Sequence, residues 1–144
     1  MISVARTFTV NKPLGFVVDY LKDFSHAEAW DPGTRSCRRT DAGEVRVGST
    51  WHNVSEFRGR TTELDYELTE LAADHLTFVG RNKSATSTDD MTFLAQGTGG
   101  TSITYRATIE FRGIARLFSG LLGSTFEHLA DDVVQRMSAT INGL

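Results

Sequence analysis

Apolar residues along this chain recur at two spacings, and the change from one to the other comes after Gly113. The first ten residues set Ile2, Val4, Phe8 and Val10 on one side and Ser3, Thr7 and Thr9 on the other. That period of two predicts a strand with one buried face. Arg6 falls on its apolar side. Pro13 suits a first helical turn, where its missing N–H costs nothing. Val17, Leu21 and Phe24 follow at helical spacing, which predicts a short helix from about 13 to 23. A second helical turn around 26 to 30 delivers Trp30 and ends at Asp31-Pro32-Gly33.

From 34 to 112 the period of two dominates. Residues 35–40, RSCRRT, read as a polar edge strand before a turn; TWHNVSEF then places Trp51 and Phe57 on one face with Asn53 and Ser55 between them. Arg58-Gly59 reads as a turn. In TELDYELTEL, Leu64, Tyr66 and Leu68 alternate with Glu63, Asp65 and Glu67, a strand with a dry side and an acidic, wet side. HLTFVG and DMTFLA predict two more strands, with the preceding STDD read as a turn tip or as the strand's start. After the turn QGTGG, Ile103, Tyr105, Ala107, Ile109 and Phe111 alternate with polar residues in a last strand.

Beyond Gly113, residues Leu117, Phe118, Leu121, Leu122, Phe126, Leu129, Val133 and Met137 form a stripe at helical spacing. Gly120 and Gly123 weaken the first half of this long helix, each by about 1 kcal/mol against Ala. STFE at 124–127 matches a capping box, so a restart at Ser124 is an expectation. The order is strand, two small helices, about six consecutive antiparallel strands, one long helix. Each strand has one apolar face that only helices can cover. The expected fold is therefore α+β, a curved antiparallel sheet of about seven strands wrapped around its C-terminal helix.

Composition narrows the function classes. A chain of 144 residues is expected to form one domain, residues 1–144. A formal charge of −3 argues against a nucleic-acid backbone as partner. One cysteine, Cys37, excludes an internal disulfide, and no C-x-x-C pair suggests a metal. The four histidines, His26, His52, His75 and His128, have no metal-ligand spacing. No run approaches the length of a membrane span, and the N-terminus is too polar for a signal peptide, so stable membrane insertion is not expected and a cytoplasmic location is.

The element order, with Lys12-Pro13, Val17, Leu21, Asp23, Trp30 and Pro32 after the first strand and GGTSITY at 99–105, resembles the START-like superfamily. The similarity is greatest to its polyketide cyclase/dehydrase and lipid-transport branch and covers essentially the whole chain. The resemblance implies the helix-grip fold, with Trp30 closing one end of the space between sheet and long helix. By burial alone Trp30 covers about 200 Å² of apolar surface, an upper bound of about 5 kcal/mol. The resemblance also implies a cavity for a hydrophobic ligand, the class that includes polyketides, sterols, lipids and plant hormones, and no cofactor.

Alternation along the strands, the helical stripe and the place of Trp30 in the resemblance give the residues expected to face such a cavity. Trp30, Trp51, Phe57, Tyr66, Phe78, Met91, Phe93, Tyr105, Leu117 and Leu121 supply apolar and aromatic surface, and Arg6, Asn53, Ser55, Tyr66, Asp89 and Tyr105 are polar groups on the same face. A buried polar group without a partner costs about 1–3 kcal/mol, so each needs a bond to protein, water or ligand. For Arg6 the candidate partner is Asp89. Catalysis by cyclisation would need an acid or base in the cavity, yet all four histidines read as peripheral. Ser124, His128 and Asp131 on one helix face cannot align as a nucleophilic triad. Arg35, Arg38 and Arg39 read as a solvated edge, or as attraction to anionic headgroups. The sequence thus points to binding or carriage of a hydrophobic small molecule; the alternatives are a cyclase or dehydrase acting on a carbonyl compound and a protein-partner role without chemistry. Neither ligand identity nor oligomeric state is legible.

Overall fold

A computed structural model describes residues 1–113, 115 and 123–144. Its elements follow the expected order: β1 (Ile2–Val10), α1 (Leu14–Leu21), a 3₁₀ turn (Phe24–His26), α2 (Ala27–Trp30), β2 (Thr34–Arg39), β3 (Thr50–Phe57), β4 (Arg60–Ala72), β5 (His75–Arg81), β6 (Ala85–Gln96), β7 (Gly100–Phe111) and α3 (Gly123–Asn142). Pro13 stands just before α1, and its carbonyl accepts the Val17 N–H at 3.1 Å. Asp23 opens the 3₁₀ turn by accepting from Ser25 N at 3.0 Å, the short-range capping that Asp favours. Ser124 already lies inside α3, so the capping-box reading of STFE does not hold at that position.

The sheet is antiparallel and seven-stranded in the order β1-β7-β6-β5-β4-β3-β2. Sequential strands are neighbours throughout β2 to β7, as hairpin connections dictate. The β3–β4 turn, Arg58-Gly59, has positive φ at both residues (51° and 76°), the geometry whose twist matches two flanking strands. Register shifts lie between Leu68 and Glu70 in β4 and between Thr34 and Ser36 in β2. Such bulges bend a strand, and the first returns Leu71 opposite Leu76 after Leu64, Tyr66 and Leu68 have faced inward. Asp89 sits well inside β6, which begins at Ala85, so STDD is strand and not a turn tip.

One face of the sheet is gripped by α3, whose buried residues Ala130, Val133, Met137 and Ile141 recur every three or four positions. The other inward element is the α1, 3₁₀ and α2 segment. Phe24 lies at its centre, with ring centroids 4.4 Å from Phe78, 4.6 Å from Tyr66, 5.8 Å from Trp30 and 6.2 Å from Trp51. This is the helix-grip α+β fold. Leu117, Leu121 and the rest of the apolar stripe between them, with Gly120, lie outside the described residues.

Candidate functional site

Side-chain size along the inward face divides the interior. Cross-strand registers stack the inward residues in rows: Tyr66, Gly80, Ser87, Ile109 and Ile2 in one, Leu68, Phe78, Asp89, Ala107 and Val4 in the next, Leu76, Met91, Tyr105 and Arg6 in a third. On β4 and β5 the rows carry Leu68, Leu76 and Phe78, with Met91 of β6 beside Leu76, all fully buried. Towards β6 and β7 they carry Ala85, Ser87 and Ala107, which are too short to reach α3. A cavity of about 650 Å³ opens there. Its floor is Ala85, Ser87, Asp89, Tyr105, Ala107, Ile109 and Phe111; β4 adds Leu64 and Tyr66, β1 adds Val4, β3 adds Ser55 and Phe57, and α3 covers it with Phe126, Leu129, Ala130 and Val133. Exposed Glu63 and Lys83 stand at its outer end.

The polar groups collect at the inner end. Tyr105 donates its hydroxyl to Asp89 Oδ2 at 2.5 Å, and Asp89 is 7% exposed. Burial pushes the Asp89 carboxyl up to about 7, against the pull of the Tyr105 hydroxyl. The Tyr66 and Tyr105 phenols are driven well above their ordinary value, mainly by burial. Asp31, at the end of α2, also lines this end. Burial raises its carboxyl despite hydrogen bonds from Thr34 Oγ1 at 2.7 Å and Gly33 N at 3.1 Å. Tyr66 is held flat because its ring lies over Gly80: a Cβ there would come within 2.6 Å of the ring.

The expected site residues separate into two groups. Ser55, Phe57, Tyr66, Asp89 and Tyr105 come together around the cavity. Trp30, Trp51, Phe78, Met91 and Phe93 do not line it; they are consumed by the packed half, where the 3₁₀ turn and α2 press on the sheet. Trp30 stacks edge-on against Tyr105, with centroids 5.9 Å apart, so it backs the inner end without forming its surface. Trp51 donates its ring N–H to Asp23 Oδ1 at 3.1 Å. Asn53 spends its polarity within the protein, donating to Thr34 Oγ1 at 3.1 Å and accepting from Ser55 at 2.6 Å.

Arg6 and Asp89 are not partners. β1 is an edge strand, so Arg6 slips past the sheet rim and meets α3, at 2.5 Å from Glu127 Oε2 and 2.8 Å from Asp131 Oδ1. The cavity residues missed from the sequence include Asp31, Val4, Ala85, Ser87 and Ala107. Small inward residues on neighbouring strands were the available signal, because a hollow sits where facing side chains are short.

His52 is half-buried and bridges Asp65 and Glu63 at 2.7 and 2.8 Å, and these carboxylates raise its ring above the usual value. Among the described residues no group of three His, Cys, Asp or Glu side chains is placed to hold a metal ion, and no helix is long and apolar enough to cross a membrane.

Solved structures share this architecture. A START superfamily protein from Mycobacterium smegmatis aligns with a TM-score of 0.72 at 15% identity, covering 96% of this chain and 98% of its own. An aromatase/cyclase from a Streptomyces species aligns at 0.75 and 12% identity, covering 98% and 91%. A STAR-related lipid transfer protein from Xanthomonas axonopodis aligns at 0.75 and 13%, covering 96% and 85%. At such identities the likeness shows the fold alone. No curated protein sequence matches the chain. The family model for polyketide cyclase/dehydrase and lipid transport, however, matches residues 1–142, so helix grip, inward rows and sequence motifs agree: this chain belongs to the polyketide cyclase/dehydrase and lipid transport family.

Proposed function

We propose that the protein binds a hydrophobic small molecule in the space between the sheet and α3, with the molecule's polar end against Asp89 and Tyr105. The observation that carries this reading is the cavity of about 650 Å³, apolar along α3, β1 and β7 and polar at its inner end. That volume is within the usual range for sites of organic ligands, and so is the pairing of apolar walls with a few convergent polar groups. Evacuating apolar surface from water supplies affinity, about 25 cal/mol per Å² before the costs of association. The polar groups orient the bound molecule.

The test is saturable binding of the neutral dye Nile red, together with native mass spectrometry of protein purified from its source and extraction of any bound compound. Saturable binding that is lost in Ala107→Phe, which fills the floor, is the expected result. Absence of saturable dye binding, with protein consistently empty, overturns the reading.

A second reading, acid–base chemistry on a carbonyl compound held in the same cavity, is favoured by one observation. Asp89 is a cavity-facing carboxyl brought to about 7 and hydrogen-bonded to a phenol, and a group poised near working pH can both give and take a proton. Turnover of a carbonyl ligand, abolished in Asp89→Asn with binding retained, would establish this reading over simple carriage.

A further inference from the structure

The inner end of the cavity brings two carboxyls together. Asp31 and Asp89 both line it, with the hydroxyls of Ser55, Ser87, Tyr66 and Tyr105 around them. Asp89 is more than nine-tenths buried and accepts one hydrogen bond, from Tyr105 to Oδ2. Among the described residues its other oxygen, Oδ1, has no hydrogen-bond partner and is not sealed off from the cavity, the fully buried unpaired polar side-chain atom being Trp30 Nε1, and neither Asp31 nor Asp89 forms an ion pair. A buried carboxylate without a counter-charge is costly and draws either a proton or a cation. Among the described residues nothing close supplies one: α3 presents apolar Leu129, Ala130 and Val133, β1 presents Val4, and Arg35 and Arg136 act on Asp31 only from a distance.

Resting on the binding reading above, we infer that the ligand class is a lipophilic amine, with its protonated nitrogen seated between Asp89 and Asp31 and its apolar body along α3, and that lipophilic carboxylates are excluded. An ammonium supplies the missing donor to Asp89 Oδ1 and the missing positive charge together. A fatty carboxylate would bring a third anionic group to two carboxyls, in a setting where like charges repel more strongly than in water. A neutral alcohol satisfies the hydrogen bond but not the charge, so it ranks between them. Asp31 holds the turn to β2 through Gly33 and Thr34, so Asp89 is the group to alter.

The experiment is displacement of Nile red by decylamine, decanol and decanoate at about pH 8, where the amine is protonated and the acid ionised. Decylamine is expected to bind at least about tenfold more tightly than decanoate, the scale of one charge-assisted hydrogen bond. In Asp89→Asn, which keeps the shape, that ratio should fall towards one. In the unaltered protein, amine affinity should also rise between about pH 6 and pH 8, as Asp89 ionises, while decanol affinity stays flat. Equal or tighter binding of decanoate, or a ratio unchanged in Asp89→Asn, overturns the amine assignment while leaving the cavity reading intact. Failure of Nile red and all three ligands to bind overturns both.

Discussion

At the scale of single residues, the site depends on groups held away from their ordinary chemistry. Asp89 titrates near 3.8 in an unfolded chain and at about 7 when folded. Between these values the folded protein holds a proton that the unfolded chain has released. Stability therefore falls as pH rises from about 4 to 7 and is flat above. His52 and His75, raised by their carboxylate partners, add a slope of the same sign, so the informative quantity is the difference between variants. Asp89→Asn should flatten the slope by a few kcal/mol across that interval and be relatively more stable at about pH 8, as measured by urea unfolding at several pH values. An unchanged slope would mean that Asp89 ionises freely. Gly80 is the second such residue. A methyl group there would meet the Tyr66 ring at 2.6 Å, and β-sheet backbone on both sides prevents retreat. Gly80→Ala should cost about 1–3 kcal/mol, the usual penalty of overpacking, and turn Tyr66 into the cavity, seen as lost Nile red binding. Cys37 is 2% exposed and its thiol is pushed up to about 12, chiefly by burial. It should react with a thiol reagent at neutral pH only on unfolding, because the thiolate is the reactive form.

Among the elements, α3 is the cavity wall whose two halves are anchored differently. Its first described turns are held at the rims of the sheet and not by the core. Arg6 of β1 bonds Glu127 and Asp131 on one side. On the other, Arg58 Nη2 donates to Thr125 Oγ1 at 2.7 Å, and Phe57 stacks on Phe126 with centroids 5.7 Å apart. The fully buried anchors, Met137 and Ile141, come only in the second half. Exposed ion pairs contribute little to global stability but can decide local opening. Arg6→Ala should leave the global unfolding midpoint nearly unchanged and speed amide exchange at residues 126–133 relative to 137–142, as read by hydrogen-exchange mass spectrometry. Uniform protection along the helix would assign the anchoring to the core instead. The same contrast shows what the sequence made legible. Alternation located most strands, because one buried face per strand is a local property, and the 3.6 period located α3; β2 reads only as a polar edge, and the first residues of β6, Ala85–Asp89, lie outside the predicted strand DMTFLA. Partners were not local. Arg6 was correctly seen on the inward side of β1, but that β1 lies at the rim, where Arg6 can reach around to Glu127, depends on strand order. Trp51, Phe78 and Met91 were correctly placed inward, yet which inward residues touch a hollow and which are packed depends on where the 3₁₀ turn and α2 press, and a single strand's pattern carries none of that.

For the whole molecule, the cavity is a cost to folding, which binding would offset under the proposed function. Interiors normally pack to crystal density, and an unfilled void forfeits the contacts its lining would make. Here the void is placed by Ala85, Ser87 and Ala107 in adjacent strands under α3, while the other half of the same sheet is packed with Leu68, Leu76, Phe78 and Met91. One sheet thus has two parts, one closely packed and one lying under a hollow. If the hollow is retained for function, filling it should raise stability and remove binding together, the trade-off expected of sites that stand apart from the stability optimum. Ala107 is the position to use, because it faces the cavity from β7, between Asp89 of β6 and Val4 of β1. Ala107→Leu adds three buried carbons, worth about 2 kcal/mol at roughly 0.8 kcal/mol per methylene if they enter open space. The expected outcome is a higher urea midpoint with an unchanged denaturant slope, alongside loss of Nile red binding. A destabilised variant that still binds the dye would show that the floor at Ala107 is already closed and that ligands enter elsewhere. A stabilised variant that has lost the dye would show that the fold surrenders stability at that one place in order to hold a guest.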